Sequence, residues 1–321
     1  MIRFLVRRLG LGVVVMFMVT IAVYGMFYLG APMDIARRLA GRNATQETVL
    51  RLYHDKGLDK PLWEQYRHFV DRLIFHGDLG KDYYHNLPVA TVLKQDAPVT
   101  FSLAVGAAVI WFLLGVSTGV YSSIRPRSFV DRSFTATALF FYSIPVFVLG
   151  VGLRYFFFYR LTLHHWKWFP AEGYVSITSN LFEWARHLIL PWLTLALISA
   201  AAYTRLSRTS MLEVLGEDYI RTARSKGIPE SRVIVRHALR SALTPVVTQF
   251  GIDFATVLGG AILTESVWGL PGLGRESVQA IENQDLPVII GIVIVAAAAI
   301  ILANIVVDMM YAVLDPRVRL H

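Results

Sequence analysis

The chain has 321 residues, 55% of them apolar and 17% charged, with a mean hydropathy of +0.50 and no cysteine. So apolar a composition excludes an ordinary water-soluble domain, and the missing cysteine excludes a disulfide framework, a thiolate metal site and a cysteine nucleophile. The formal net charge of +8 is no sign of nucleic acid binding, because the basic residues are distributed as a membrane protein requires.

Crossing a hydrocarbon core of roughly 30 Å takes about 20 mostly apolar helical residues. In chain order, residues 9–30, 99–121, 133–159, 188–203, 242–264 and 288–313 meet that demand. The first begins among arginines as a signal peptide would, but its apolar run is too long and no small-residue cleavage site precedes Pro32. Residues 1–30 therefore read as an uncleaved anchor, 31–98 as a small extracytoplasmic domain and 99–321 as a five-helix core. With the N-terminus inside, the cytoplasmic pieces carry sixteen Lys and Arg against four in the short outer loops, which predicts both termini in the cytosol. Trp166, Trp168, Trp184 and Trp192 flank the third and fourth spans where an outer aromatic belt would lie.

Within 31–98, a helical run at 44–56 precedes the breaker Gly57-Leu58-Asp59-Lys60-Pro61, and a second amphipathic run follows through Trp63, Tyr66, Phe69, Val70 and Leu73. The second long connection, 204–241, faces the cytosol and reads as two short helices parted by Gly227-Ile228-Pro229, with Glu230 opening the second helix. A polar helix pair strung between two spans is a lever: whatever docks on it moves both spans. The alternative is a basic helix lying on anionic lipid. Its apolar side offers Ala223, Ile228 and Val233 without Trp or Phe, a poor face for burial in a membrane.

The stretch Asp218-Tyr219-Ile220-Arg221-Thr222-Ala223-Arg224, then Lys226-Gly227, Arg236-His237-Ala238-Leu239-Arg240 and Pro245, resembles the coupling motif of permease subunits of bacterial ATP-binding-cassette importers. Four further matches are in register with the dipeptide and oligopeptide branch, and within it with the first of the two permeases. They are Phe4-Leu5-Val6-Arg7-Arg8-Leu9, Gly57-Leu58-Asp59-Lys60-Pro61 with Gly77-Asp78-Leu79-Gly80, Glu265-Ser266-Val267-Trp268-Gly269-Leu270-Pro271-Gly272-Leu273-Gly274, and the ending from Asp308-Met309-Met310-Tyr311 to Asp315-Pro316-Arg317. The general motif begins Glu-Ala-Ala where this chain has Arg221, Thr222 and Ala223, and the spacing to Pro245 is longer than in sugar importers.

The resemblance implies an all-α type I importer permease in a bacterial inner membrane, paired with a second permease. Two ATPase subunits or one fused ATPase, using ATP and Mg²⁺, would dock at Tyr219, Arg221, Thr222, Ala223, Arg224, Lys226, Gly227, Ile228, Pro229 and Glu230. An extracytoplasmic binding protein would deliver short peptides, with nickel complexes or glutathione as alternatives in the same family. Glu265, Trp268 and Pro271 become candidates for an outer gate.

In the fifth span Gln249, Asp253, Thr256, Gly260 and Thr264 fall in one narrow wedge of the helix. A carboxylate facing lipid costs about 2.5–3.5 kcal/mol even on the lenient insertion scale, so Asp253 faces protein or water. A passage lined by Gln249, Asp253, Thr256 and Gly260 is one reading, and a packed helix seam with Arg154 as the partner of Asp253 is the other. Asn304 and Asp308 read as a structural pair near the inner end of the last span. No Gly-x-x-x-x-Gly-Lys-Ser/Thr, His-Glu-x-x-His or Gly-x-Ser-x-Gly pattern occurs, and no metal site or cofactor is expected on this chain. A secondary transporter and a membrane-embedded enzyme remain the rivals from other classes; the first calls for internal repeats and the second for ionisable residues at one depth.

Overall fold

The computed structural model describes residues 2–29, 32–41, 44–165, 168–170, 172–258 and 261–314. Gly260, Trp166 and the 315–319 part of the terminal motif lie outside them. Six helices are long and apolar enough to cross a membrane: Val6–Met26, Val89–Ile124, Val146–Leu163, Leu181–Leu215, Glu230–Leu258 and Leu286–Met310. They are called the first to sixth spans below. Among the described residues, extended pairing is limited to one isolated bridge between Lys81 and Pro88, so the fold is all-helical.

Inside lipid, helices gain little from hydrophobic burial against one another, and close backbone approach takes its place. The second span supplies this with Gly115 and Gly119, where a Cβ would overlap Tyr203, Thr204 and Ser207 of the fourth span. The approach lets Thr118 and Thr204 share a hydroxyl hydrogen bond of 2.7 Å. Farther along the same seam Trp192 is buried, donating from Nε1 to the Ser102 carbonyl at 2.9 Å and packing edge-on against Trp184 at 5.0 Å. Trp192 is therefore a core residue, not part of an aromatic belt; its indole N–H has found a protein partner instead of the headgroup region. Exposed Trp168 does suit a belt.

Four spans depart from expectation, and the second does so by starting at Val89, inside the segment expected to precede it. The third breaks at Ser143-Ile144-Pro145: one helix, Phe129–Tyr142, ends there, and another starts at Val146. Pro145 has no N–H to offer the helix and disfavours the helical region for Ile144. The fourth is much longer than 188–203, beginning behind Asn180, whose Oδ1 accepts from the Phe182 and Glu183 amides at 3.0 and 3.1 Å, and running to Leu215. The fifth already starts at Glu230 and is helical to the last described residue before 259, Leu258, while Thr264 belongs to a separate turn, Ile262–Val267. Within 204–241 the chain thus leaves helix only around 216–217 and 226–229.

The segment expected outside packs on the first and last spans. Thr45 caps helix Gln46–Asp55, and helix Leu62–Asp71 lays Tyr66 and Phe69 on Tyr24, with ring centroids 5.2 and 5.5 Å away. Leu286 and Ile290 of the last span close that cluster, and Tyr66 shares a 2.8 Å hydrogen bond with Thr20. At the opposite end of the same two spans, Arg8 meets Asp308 at 2.9 Å. The Asp308 carboxylate is thus matched by a neighbouring helix.

Candidate functional site

The element expected inside is a single short helix, Asp218–Ser225, with its own small core. Ile220 and Val233 are fully buried and Ala223 nearly so, against Met211 of the fourth span and Ala238 and Ala242 of the fifth. Burial of an Ile or Val of this kind contributes about 1.5–3 kcal/mol, so the helix is held to both spans at once. Gly227 takes φ +73, donates to the Arg224 carbonyl at 2.9 Å and turns the chain into Pro229. Across that turn the Arg224 guanidinium grips Glu230 in a fork, at 2.7 and 3.1 Å. Tyr219 reaches Ser241 at 3.1 Å. Of the coupling candidates, Ala223 faces inward and Ile228 packs at the edge of the core, whereas Tyr219, Arg221, Thr222, Arg224, Lys226, Gly227, Pro229 and Glu230 form an exposed surface.

Beside this element lies a cluster that no sequence motif above includes. Asp131, 4% exposed, is held by Arg208 at 2.8 and 2.9 Å, by the Ser122 hydroxyl and by the Arg127 amide at 2.7 Å. The guanidinium beside it holds the Asp131 carboxyl well below the usual carboxylate range. It ties the ends of the second and fourth spans to the helix before Pro145. The signal present in the sequence is Ser128-Phe129-Val130-Asp131, a capping pattern in which Ser128 Oγ accepts from the Asp131 amide at 3.2 Å.

Deeper in the bundle, Asp253 accepts from Tyr203 Oη at 3.0 Å and from Gln249 Nε2 at 2.8 Å. Arg154 is not its partner, since that guanidinium donates to the Val267 carbonyl at 2.7 Å and pairs with Glu172. Gln249 and Asp253 line a cleft of ≈ 580 Å³ with Tyr142, Ser199, Arg205 and Thr209. Thr256 is exposed with its hydroxyl on the Ile252 carbonyl, and Thr264 is buried in the next turn, so the expected wedge is divided.

The outer motif folds into a hairpin around Glu265, which is fully buried. Its carboxylate accepts from Thr100 Oγ1 at 2.7 Å and from the Arg275 amide at 2.8 Å, while Thr100 in turn accepts from the Leu273 amide at 2.8 Å. A Cβ on Gly272 or Gly274 would run into that carboxylate, which is why the turn is glycine-rich. Burial pushes the Glu265 carboxyl above its ordinary pKa, and the hydrogen bonds it accepts pull partly back. Trp268, 2% exposed, donates to Thr194 at 3.1 Å, whereas Pro271 is exposed at the turn. Residues at 165 positions' remove, Thr100 and Glu265, are thus joined by one hydrogen bond that no local pattern announces.

Comparison with known proteins accounts for this arrangement. Residues 90–320 match the family model described as binding-protein-dependent transport system inner membrane component, and residues 1–104 match the model of its N-terminal part. The chain is 39% identical over 316 residues to a probable peptide ABC transporter permease protein of Sinorhizobium fredii, covering 98% of this chain and 99% of that one. It is 37% identical over 343 residues to the dipeptide transport system permease protein DppB of Escherichia coli, covering 99% of each. An inward-facing structure of the MetNI methionine ABC transporter shares the fold, with a TM-score of 0.55 and 19% identity over 70% of this chain and 97% of that one. A multi-pass helical bundle with two family models matched end to end leaves one assignment: the chain belongs to the binding-protein-dependent transport system inner membrane components, the permease subunits of ABC importers.

Proposed function

We propose that this chain forms one half of the passage of an ATP-driven importer of short peptides in a bacterial inner membrane, with both termini in the cytosol. The relatives' printed names support the substrate class. The observation that carries the mechanism is the inner helix Asp218–Ser225, which buries Ile220 against the fourth and fifth spans and leaves a polar face outside. ATPase subunits, separate or fused, dock on that face and hydrolyse ATP with Mg²⁺; this chain transmits the movement and performs no chemistry. A second permease completes the passage, and an extracytoplasmic binding protein delivers peptide to the side bearing the Glu265 hairpin.

ATP draws the ATPases together and displaces the inner helix, and the fourth and fifth spans follow because the shared core leaves them no independent motion. The Asp253 cleft lies between those two spans and changes shape with them. Gln249 and Asp253 face the passage, and Glu265 and Trp268 anchor the outer hairpin whose exposed tip carries Pro271.

The test is purification through a tag on this chain, followed by uptake in proteoliposomes with the binding protein. Recovery of a second permease and nucleotide-binding subunits, with ATP-dependent uptake of labelled di- or tripeptide, is the expected result. A solitary chain, ATP-independent uptake, or transport of nickel complexes or glutathione in place of peptide would overturn the corresponding part of the proposal.

A further inference from the structure

The cleft beside Asp253 holds two opposite charges that do not meet. Asp253 is contacted by two neutral groups, Tyr203 and Gln249, and among the described residues no Lys, Arg or His forms an ion pair with it. Arg205 lines the same cleft and likewise pairs with no carboxylate among the described residues; its guanidinium lies over the Tyr142 ring, 5.5 Å from the centroid. Two other opposite charges in this bundle do meet, Arg208 with Asp131 and Arg8 with Asp308. An unmatched carboxylate inside a span is costly, and such groups mark substrate pathways.

The ligand that matches both is a short zwitterion. At ≈ 580 Å³ the cleft has the size of a small-molecule site. Tyr142, Ala202 and Arg205 also border a second cleft of ≈ 550 Å³ that leads to the Asp131 cluster, so Arg205 stands where the two hollows join. Tyr203 and Gln249 hold the Asp253 carboxylate in place without neutralising it, and Tyr142 parks the Arg205 guanidinium on a face that a carboxylate can displace.

We propose that Asp253 and Arg205 form a passage subsite for the two termini of a free short peptide, the ammonium on Asp253 and the carboxylate on Arg205, an inference that rests on the peptide-importer reading. It assigns selection by charged ends to this chain, in addition to any selection by a binding protein.

The test is equilibrium binding of a labelled dipeptide to the full complex in nanodiscs without the binding protein, compared with its N-acetyl and C-amide forms. The wild-type complex is expected to bind the free dipeptide at least about tenfold more tightly than either blocked form, the scale of one charge-assisted hydrogen bond. Asp253→Asn, which keeps the size of the group and an oxygen for one neighbour, removes the preference over the N-acetyl form alone. Arg205→Gln removes the preference over the C-amide form alone, and Arg205→Lys restores part of it. A folding defect weakens all three ligands together and leaves their ratios unchanged, as does a purely structural role. Unchanged ratios in both variants, or a wild-type complex that does not bind or does not discriminate, overturn the subsite. ATP-driven uptake with the binding protein separates the two levels: peptide uptake with unaltered ratios sinks the subsite and spares the importer, whereas no peptide uptake at all sinks the importer reading.

Discussion

Replacing Glu265 by Ala would open the outer hairpin. The substitution leaves the buried Thr100 hydroxyl and the part-buried Arg275 amide without their acceptor. Each stranded donor costs about 1–3 kcal/mol, and removing a desolvated carboxylate returns part of that, so about 2–4 kcal/mol is the net loss. At 1.4 kcal/mol per factor of ten, local opening becomes roughly 30- to 700-fold more frequent. Hydrogen exchange read by mass spectrometry on the assembled complex reports this directly. Amides of residues 262–283 should lose protection by that factor, while those of the inner helix Asp218–Ser225 keep theirs. Glu265→Gln should fall between, since its amide oxygen still serves one donor and its NH₂ group opposes the other. Exchange within threefold of the wild type across 262–283 would show that the hairpin is held by its apolar contacts alone, with Glu265 a passenger.

Burial holds Glu265, Glu276 and Asp285 above the ordinary carboxylate range, so their contribution to stability is complete below about pH 4, the unfolded value, and declines as pH rises through the folded values. Protection of the outer hairpin should therefore fall as the pH is raised above about 4, and Glu265→Gln should flatten that slope. Asp131 has the opposite sign, its contribution being lost only on acidification below about pH 4, so protection near 122–131 should stay level across the same range. Gly119→Val drives a side chain into the Thr204 carbonyl and Ser207, an overpacking worth about 1–3 kcal/mol or more, and should lower the melting temperature of the complex. Gly152→Val, with open space around it, is the control expected to change little. Gly227→Ala places a Cβ at φ +73, a cost of about 1–2 kcal/mol, and should reduce peptide uptake per ATP hydrolysed; Arg224→Gln removes an exposed ion pair worth about 1 kcal/mol or less and should leave the melting temperature unchanged.

The spans were readable because membrane thickness imposes a length and lipid imposes a composition, neither of which needs knowledge of neighbours. Helix ends were less so, and proline shows why. Pro98, Pro191 and Pro245 sit inside helices, while Pro145 ends one. Within a membrane bundle, neighbouring groups can satisfy the carbonyl that a proline strands, so its effect is decided by tertiary context. The turn at Gly227 was legible because a positive φ followed by proline is written in adjacent residues. Asp253 was visible as an unusual residue, but its partner was not. Tyr203 lies 50 positions away and Thr100 lies 165 from Glu265, separations at which no helical period carries information. The paired Gly115 and Gly119 do form a small-xxx-small pattern, a local trace of the seam with the fourth span that length and hydropathy alone pass over.

One continuous helix connects the Gly227 turn to the Asp253 cleft. It begins at Glu230, directly behind the Gly227 turn, and carries Gln249 and Asp253. At 1.5 Å per residue, Asp253 lies about 35 Å along the axis from Glu230. A rigid rod of that length turns a tilt of a few degrees at its base into a displacement of about 2 Å at the carboxylate, enough to break a 3.0 Å hydrogen bond to Tyr203. The rod is not uniform: Val233–Ala238 is wound as a wider π-type turn, and Pro245 interrupts the hydrogen-bond ladder, so bending concentrates at those two places. The base is fixed to the fourth span through Ile220, Val233 and Met211, which makes Tyr203 and Asp253 ride on two helices driven from one core. On the proposed docking, force applied at Gly227 would reach the Asp253 cleft as a change in the spacing of its two walls.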